Sequence, residues 1–127
     1  MPSGEAFTND QVADIERVVT TANHESGLQF SVYVGAAEGD IRDAAEKLHG
    51  RFGAAASSVV LIVISPGDRL LEIVTGEASS RRLTDRACAL AALSMTTSFA
   101  GGDLTGGILT GVRMLAEAAG KPLPAPR

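Results

Sequence analysis

Three aspartates stand at breaks in the chain: Asp40 in GDI, Asp68 in PGDR and Asp103 in GGDL. Carboxylates on neighbouring loops, with Glu38 beside Asp40, are the donors that a hard divalent cation such as Ca²⁺ or Mg²⁺ takes. The plainer use is structural, since Asp is a preferred helix N-cap and turn former, and it is the favoured reading. Arg69, next to Asp68, would also neutralise such a site.

A second constellation is Ser79-Ser80-Arg81-Arg82, followed by Arg86. A helix starting near Ser80 would set its free N–H groups beside the arginines, an anion site at Ser80, Arg81 and Arg82. Three arginines at the positive end of a helix dipole cost stability. A solvated face in which Glu77 and Asp85 pair with them is the favoured alternative. The glycine-rich run GGDLTGGILTG lacks the lysine of a phosphate-binding loop and follows no strand. Gly107 and Gly111, four apart, suit close packing of one helix on another. Cys88, beside Ala87 and Ala91, reads as a small core residue. His49 suits the negative end of a helix, and no serine or cysteine has a recognisable base partner.

The totals narrow the classes. The chain has 127 residues, 45% hydrophobic and 20% charged, with no tryptophan. That length fits one domain whose core is built from Ala, Val, Leu and Ile. A net charge of −4 argues against a nucleic-acid partner, which calls for a basic footprint. Cys88 is the only cysteine, so an intrachain disulfide is excluded, and with two histidines a closed zinc site is disfavoured. No apolar run approaches the roughly 20 residues of a membrane span, and the N-terminus has no signal-peptide pattern. The expectation is a soluble cytoplasmic protein.

The elements that must position these residues follow from periodicity. Residues 59–64, VVLIVI, are unbroken and β-branched, which is how a strand covered on both faces reads. Pro66-Gly67-Asp68 signals a turn, with Gly67 supplying positive φ. Residues 69–75 form a second, amphipathic strand, completing a hairpin. Upstream, residues 1–7 are an N-terminal arm. Thr8 and Gln11 have capping-box spacing, opening a helix with a Val12, Ile15, Val19, Ala22 stripe and Gly27 at its C′ position. Residues 28–35 alternate as a strand. Asp40 caps a helix from Ile41 to about Phe52, stopped by Gly53. A third helix runs from about Ser80 to Phe99, with Leu83, Ala87, Leu90, Ala91 and Met95 inward. Asp103 caps the last, with Ile108, Val112, Leu115 and Ala119 as its stripe. Residues 8–120 form the domain and 121–127 a tail.

The order is αβαββαα. The strand–helix–strand unit requires parallel strands and a right-handed crossover. The fold class is α/β, a three-layer α/β/α sandwich around a small mixed sheet. A helix of about 20 residues rises ~30 Å, so the third helix returns the chain to the end where both parallel strands finish. Glu38, Asp40, Asp68 and Asp103 then share that end, where open α/β sheets bind ligands.

VVLIVISPGDRLLEIVTG, then LTDRA, then FAGGDLTGGILTGVRMLAEAAG, resembles the TPM domain of thylakoid-lumen and bacterial envelope proteins. The shared pattern falls on Asp68-Arg69, Gly76, Leu83-Thr84-Asp85 and Gly102-Asp103, and the similarity covers roughly residues 29–119. Order and spacing carry it rather than any one motif. The resemblance implies the same three-layer fold, a cation site in acidic loops and, in some relatives, acid phosphatase activity. Relatives commonly open with an Asp-containing segment, where this chain has GEAFTND, and carry a signal peptide and a membrane anchor. The chain looks like a small soluble bacterial branch. The expected function is a non-catalytic module binding a partner protein or small ligand at its acidic end. The alternative is a Ca²⁺- or Mg²⁺-dependent phosphatase-like hydrolase.

Overall fold

In the computed structural model of the chain, residues 7–36 and 39–122 are described. Glu38, most of the expected arm and the end of the tail lie outside them. The β-branched run forms strand β2, Val59–Ser65, and all seven of its residues are buried. β1, Gln29–Val34, runs parallel to it with Gln29 opposite Val59 and Val34 opposite Ile64. β3, Leu70–Thr75, is antiparallel, with Val60 opposite Thr75 and Ser65 opposite Leu70. The sheet order is β1-β2-β3.

Alternation splits β2 between two cores. Val60, Ile62 and Ile64 pack with Phe30 and Val34 under α1, Asn9–Ser26, α4, Asp85–Ala100, and α5, Leu104–Ala119. Val59, Leu61 and Val63 pack with Val74 under a single helix, α2, Ile41–Gly50. The result is the expected α/β/α sandwich, with three helices on one face and one on the other.

The first helix is bounded as its sequence implies. The N–H of Gln11 donates to Thr8 Oγ1 at 3.1 Å, and the N–H of Thr8 donates to Gln11 Oε1 at 2.9 Å. Gly27 ends the helix at φ 75°, in the left-handed region where a Cβ is costly. Phe7, expected in the arm, is instead buried in the same core as Val12. A hydrophobic residue before the N-cap and another at the fourth helical position is the spacing of a hydrophobic staple.

Other expectations are corrected. The third helix is two helices: α3, Glu77–Arg82, and α4. Leu83 between them is extended, and Thr84 caps α4 by accepting the N–H of Ala87 at 3.1 Å. The local cap wins because Leu83 turns into the core at 2% exposure. Leu90, expected inward, is 50% exposed; it sits one residue, about 100° of rotation, from buried Ala91. In the hairpin, Arg69 belongs to the turn and not to β3. It takes φ 57°, whereas Gly67 has no positive φ. The loop closes as a turn with the N–H of Arg69 donating to the Pro66 carbonyl at 3.2 Å. Four-residue hairpin loops are commonly built on such a turn, and here the positive φ falls on its last residue. The second helix ends at Gly50, and a 3-10 helix, Gly53–Ser58, carries the chain to β2.

Gly107 and Gly111 allow the close approach of α5 to α4. A Cβ on Gly107 would stand 2.6 Å from Phe99 Cε1, and one on Gly111 would meet Met95. A tighter contact lies at Gly76, where a Cβ would meet the Ala56 carbonyl oxygen and stand 2.7 Å from Ser57 Cα. Backbone cannot move aside as a side chain can. Gly76→Ala is expected to destabilise the fold by about 2–3 kcal/mol, the cost of overpacking a tight site, as read from urea unfolding; a loss under 0.5 kcal/mol would contradict this packing.

Candidate functional site

Asp40 caps α2, accepting the N–H of Arg42 at 2.7 Å and, more weakly, that of Asp43 at 3.4 Å. Asp103 caps α5, accepting the N–H of Gly106 at 2.9 Å. Asp68 accepts a hydrogen bond from Ser65 Oγ at 3.0 Å within the hairpin turn. Asp40 starts the helix on one face of the sheet and Asp103 starts a helix on the other, with the sheet between them. Among the described residues no group of three His, Cys, Asp or Glu side chains stands close enough to hold a metal ion. Asp40, Asp68 and Asp103 are therefore not brought together as one ligand set.

The proposed anion site meets a different geometry. The helix begins at Glu77 rather than Ser80, so Ser80, Arg81 and Arg82 lie in its body and last turn. Ser80 Oγ donates to the Glu77 carbonyl at 3.0 Å. Arg81 pairs with Glu77 at 2.9 Å, both side chains exposed, which is the solvated-face arrangement. Arg82 Nη2 lies 2.9–3.1 Å from the carbonyls of Ser26, Ala119, Gly120 and Lys121. It ties the ends of α1 and α5 to α3. No local motif marks this role, because the carbonyls come from distant parts of the chain.

The described residues present two clefts of different character. One, about 350 Å³, lies between the hairpin turn and the α4–α5 connection, lined by Ser65, Arg69, Leu70, Phe99 and Leu104 among others. The other, about 430 Å³, runs along α2 beside the end of β1. Tyr33, Leu48 and Val63 form its floor, with Asp40, Asp43, Lys47 and Arg51 along its rim. A smaller recess of about 260 Å³ continues it past Ser31, Val32, Phe52 and Leu61. Because α2 is the crossover between parallel strands, it runs against β1. Asp40 and Asp43 thus flank the end of β1, and Lys47 and Arg51 its start. Neither Lys47 nor Arg51 joins an ion pair among the described residues. Of the sequence candidates among the described residues, only Asp40 lines this cleft.

A family match spans residues 1–116 and is to a domain of unknown function, DUF5130. The chain belongs to the DUF5130 family. No curated protein matches it. Solved structures similar to this DUF5130 chain include the BA42 protein of the psychrophilic bacterium Bizionia argentinensis, at 16% identity and TM-score 0.76, covering 92% of this chain and 80% of that one. The N-terminal domain of a P. gingivalis protein superposes with TM-score 0.79 at 16% identity, covering 91% and 78%. The N-terminal domain of cg2496 from Corynebacterium glutamicum gives 0.75 at 13%, covering 94% and 81%. At these identities the likeness is one of fold.

His49 and Cys88 both have structural settings in this fold. His49 is buried, with Nε2 3.1 Å from the Val59 carbonyl. A carbonyl only accepts, so Nε2 carries the proton. Cys88 is a free, half-buried cysteine. Burial pushes its thiol pKa up, and the Asp85 carboxylate adds to the rise. No helix is long and apolar enough to cross a membrane among the described residues.

Two outcomes are expected. Arg82→Ala should cost about 2 kcal/mol in chemical unfolding, since hydrogen bonds from a charged group contribute roughly 1.5–3 kcal/mol. Arg82→Lys should recover only part of this, because an ammonium lacks the planar fork; full recovery would contradict the multi-carbonyl tie. For Cys88, the thiolate is the reactive form, and a raised pKa makes it scarce at neutral pH. Labelling by Ellman's reagent should be slower than for free cysteine at pH 7.5 and should accelerate in Asp85→Asn. Unchanged kinetics in that variant would remove Asp85 as a cause.

Proposed function

We propose that this DUF5130 domain is a non-catalytic binding module whose ligand, a partner protein, occupies the cleft between β1 and α2. The observation that carries the reading is the make-up of that cleft. It has an apolar floor of Tyr33, Leu48 and Val63 and opposite charges at its two ends. A few polar groups around an apolar floor are what fixes a ligand's orientation. The reading moves the expected contact surface from the acidic end as a whole to this cleft, which Asp40 shares. It keeps the resemblance to the TPM domain as a proposed kinship and the cytoplasm as the proposed location.

The rival is a Ca²⁺- or Mg²⁺-dependent hydrolase using Asp40, Asp68 and Asp103. Each of these carboxylates already accepts a hydrogen bond within the fold, which favours the binding reading. Chelator-treated protein, melted with and without millimolar Ca²⁺, Mg²⁺ and Mn²⁺, separates the two. A cation that binds only the native state at 100 times its Kd would stabilise it by roughly 2.7 kcal/mol. The expected result is no shift and no metal-dependent hydrolysis of p-nitrophenyl phosphate. A rise in Tm that disappears in Asp68→Asn and Asp103→Asn, together with turnover, would favour the hydrolase. On the positive side, random-peptide display against the immobilised domain should yield ligands that Lys47→Glu/Arg51→Glu no longer binds.

A further inference from the structure

Among the described residues both outer strands of this sheet have an unpaired edge, and the fold treats the two differently. At β3, Arg42 Nη1 reaches across from α2 and donates to the Ile73 carbonyl at 3.2 Å, while pairing with Glu72 at 3.1 Å. An outward-facing backbone acceptor is thereby covered by a charged side chain, a common guard against strand addition.

At β1 the guard is partial. In a parallel ladder, the N–H and C=O of one residue point to the same side. The N–H of Gly35 donates to the Ile64 carbonyl at 3.0 Å, so the backbone groups of Gly35, Tyr33 and Ser31 face β2. Those of Phe30, Val32 and Val34 face outward. The N–H of Phe30 is taken by Asn23 Oδ1 at 2.7 Å. Beyond that plug, among the described residues, no strand pairs with the edge at Val32 and Val34. This open stretch borders the recess under α2, lined by Ser31, Tyr33, Leu48 and Phe52.

We infer that the occupant of the α2 cleft is an extended peptide that adds to the sheet as a fourth strand alongside Val32 and Val34. This rests on the binding reading above and names the partner's chemistry. Main-chain pairing with an edge strand supplies affinity, and alternate side chains supply specificity. One set of peptide side chains would lie in the recess over Leu48 and Phe52. The charges state the rest of the motif. Lys47 and Arg51, at the start of β1, fit an acidic residue of the peptide. Asp43, exposed at the other end, fits a basic one. The Asn23 plug limits the pairing to a short stretch, so a segment of about five or six residues is enough, each strand residue spanning roughly 3.3 Å.

The test uses the full chain labelled with ¹⁵N and blocked hexapeptides of alternating Val and Thr, with Glu at one end and Lys at the other. Both end-to-end orders of the charges are included. Expected amide shifts fall on Val32, Val34 and the α2 residues facing them. One charge order should bind more tightly, and Lys47→Glu/Arg51→Glu should weaken that order by on the order of tenfold. N-methylation of the alternate peptide amides that face β1 should weaken binding about tenfold, as loss of backbone hydrogen bonds does. N-methylation of the intervening amides should change it less than twofold. Equal effects of the two methylation sets would overturn strand addition while leaving the cleft as a binding site. Absence of binding by every hexapeptide would overturn strand addition, and the binding reading falls with it only if peptide display also yields no cleft-dependent ligand. Self-association of the free chain with its β1 amides protected from exchange would also overturn the inference, assigning the edge to a second copy.

Discussion

The structure depends on the burial of β2 on both faces. Every residue from Val59 to Ser65 is buried, so neither face of the strand can be left to water. Burying one aliphatic side chain of this size contributes roughly 1.5–3 kcal/mol, and β2 offers six on alternating sides. Two separate cores follow, and each needs its own helical cover. Parallel pairing with β1 forces a crossover, and α2 takes that role on one face. The hairpin returns β3 to the same sheet, and the remaining helices close the other face.

The uneven cover, three helices against one, shapes the surface. On the crowded face, α1, α4 and α5 meet at close quarters, helped by glycines on α5 and by Arg82, which gathers carbonyls from two helix ends. On the sparse face, α2 packs over β2 and β3. Arg42 reaches from it to the outer edge of β3. A groove is left on the β1 side, and among the described residues Lys47 and Arg51 at its rim join no ion pair. The candidate site is thus a consequence of covering a three-stranded sheet with a single helix.

Likeness to solved bacterial domains at 13–16% identity supports the fold, and membership of DUF5130 assigns no activity. They carry no chemistry to this chain, because a shared sandwich hosts many functions. What can be argued about function comes from side chains. The aspartates illustrate the point: read along the sequence they are a set of potential ligands, but in space two of them cap helices on opposite faces of the sheet. Hydrogen bonds to the α2 and α5 amides account for Asp40 and Asp103 without any ion.

Local patterns of the chain determined most of the fold. The β-branched run, the capping box at Thr8, Gly27 after the first helix and Asp caps at positions 40 and 103 all act over a few residues, and each is where its pattern implies. Phe7, expected in the arm, was missed although its signal is equally local: its staple partner Val12 lies within one turn and a half. Other features belong to the tertiary structure alone. Arg82 reaches carbonyls up to 56 residues away, Leu90 falls on the exposed flank of the face that buries Ala91 and Met95, and the charged cleft exists only where α2 leaves the β1 side of the sheet uncovered. Short-range sterics and hydrogen bonding are written in neighbouring residues. Long-range contacts are set by how buried faces pack, and no spacing along the chain records that.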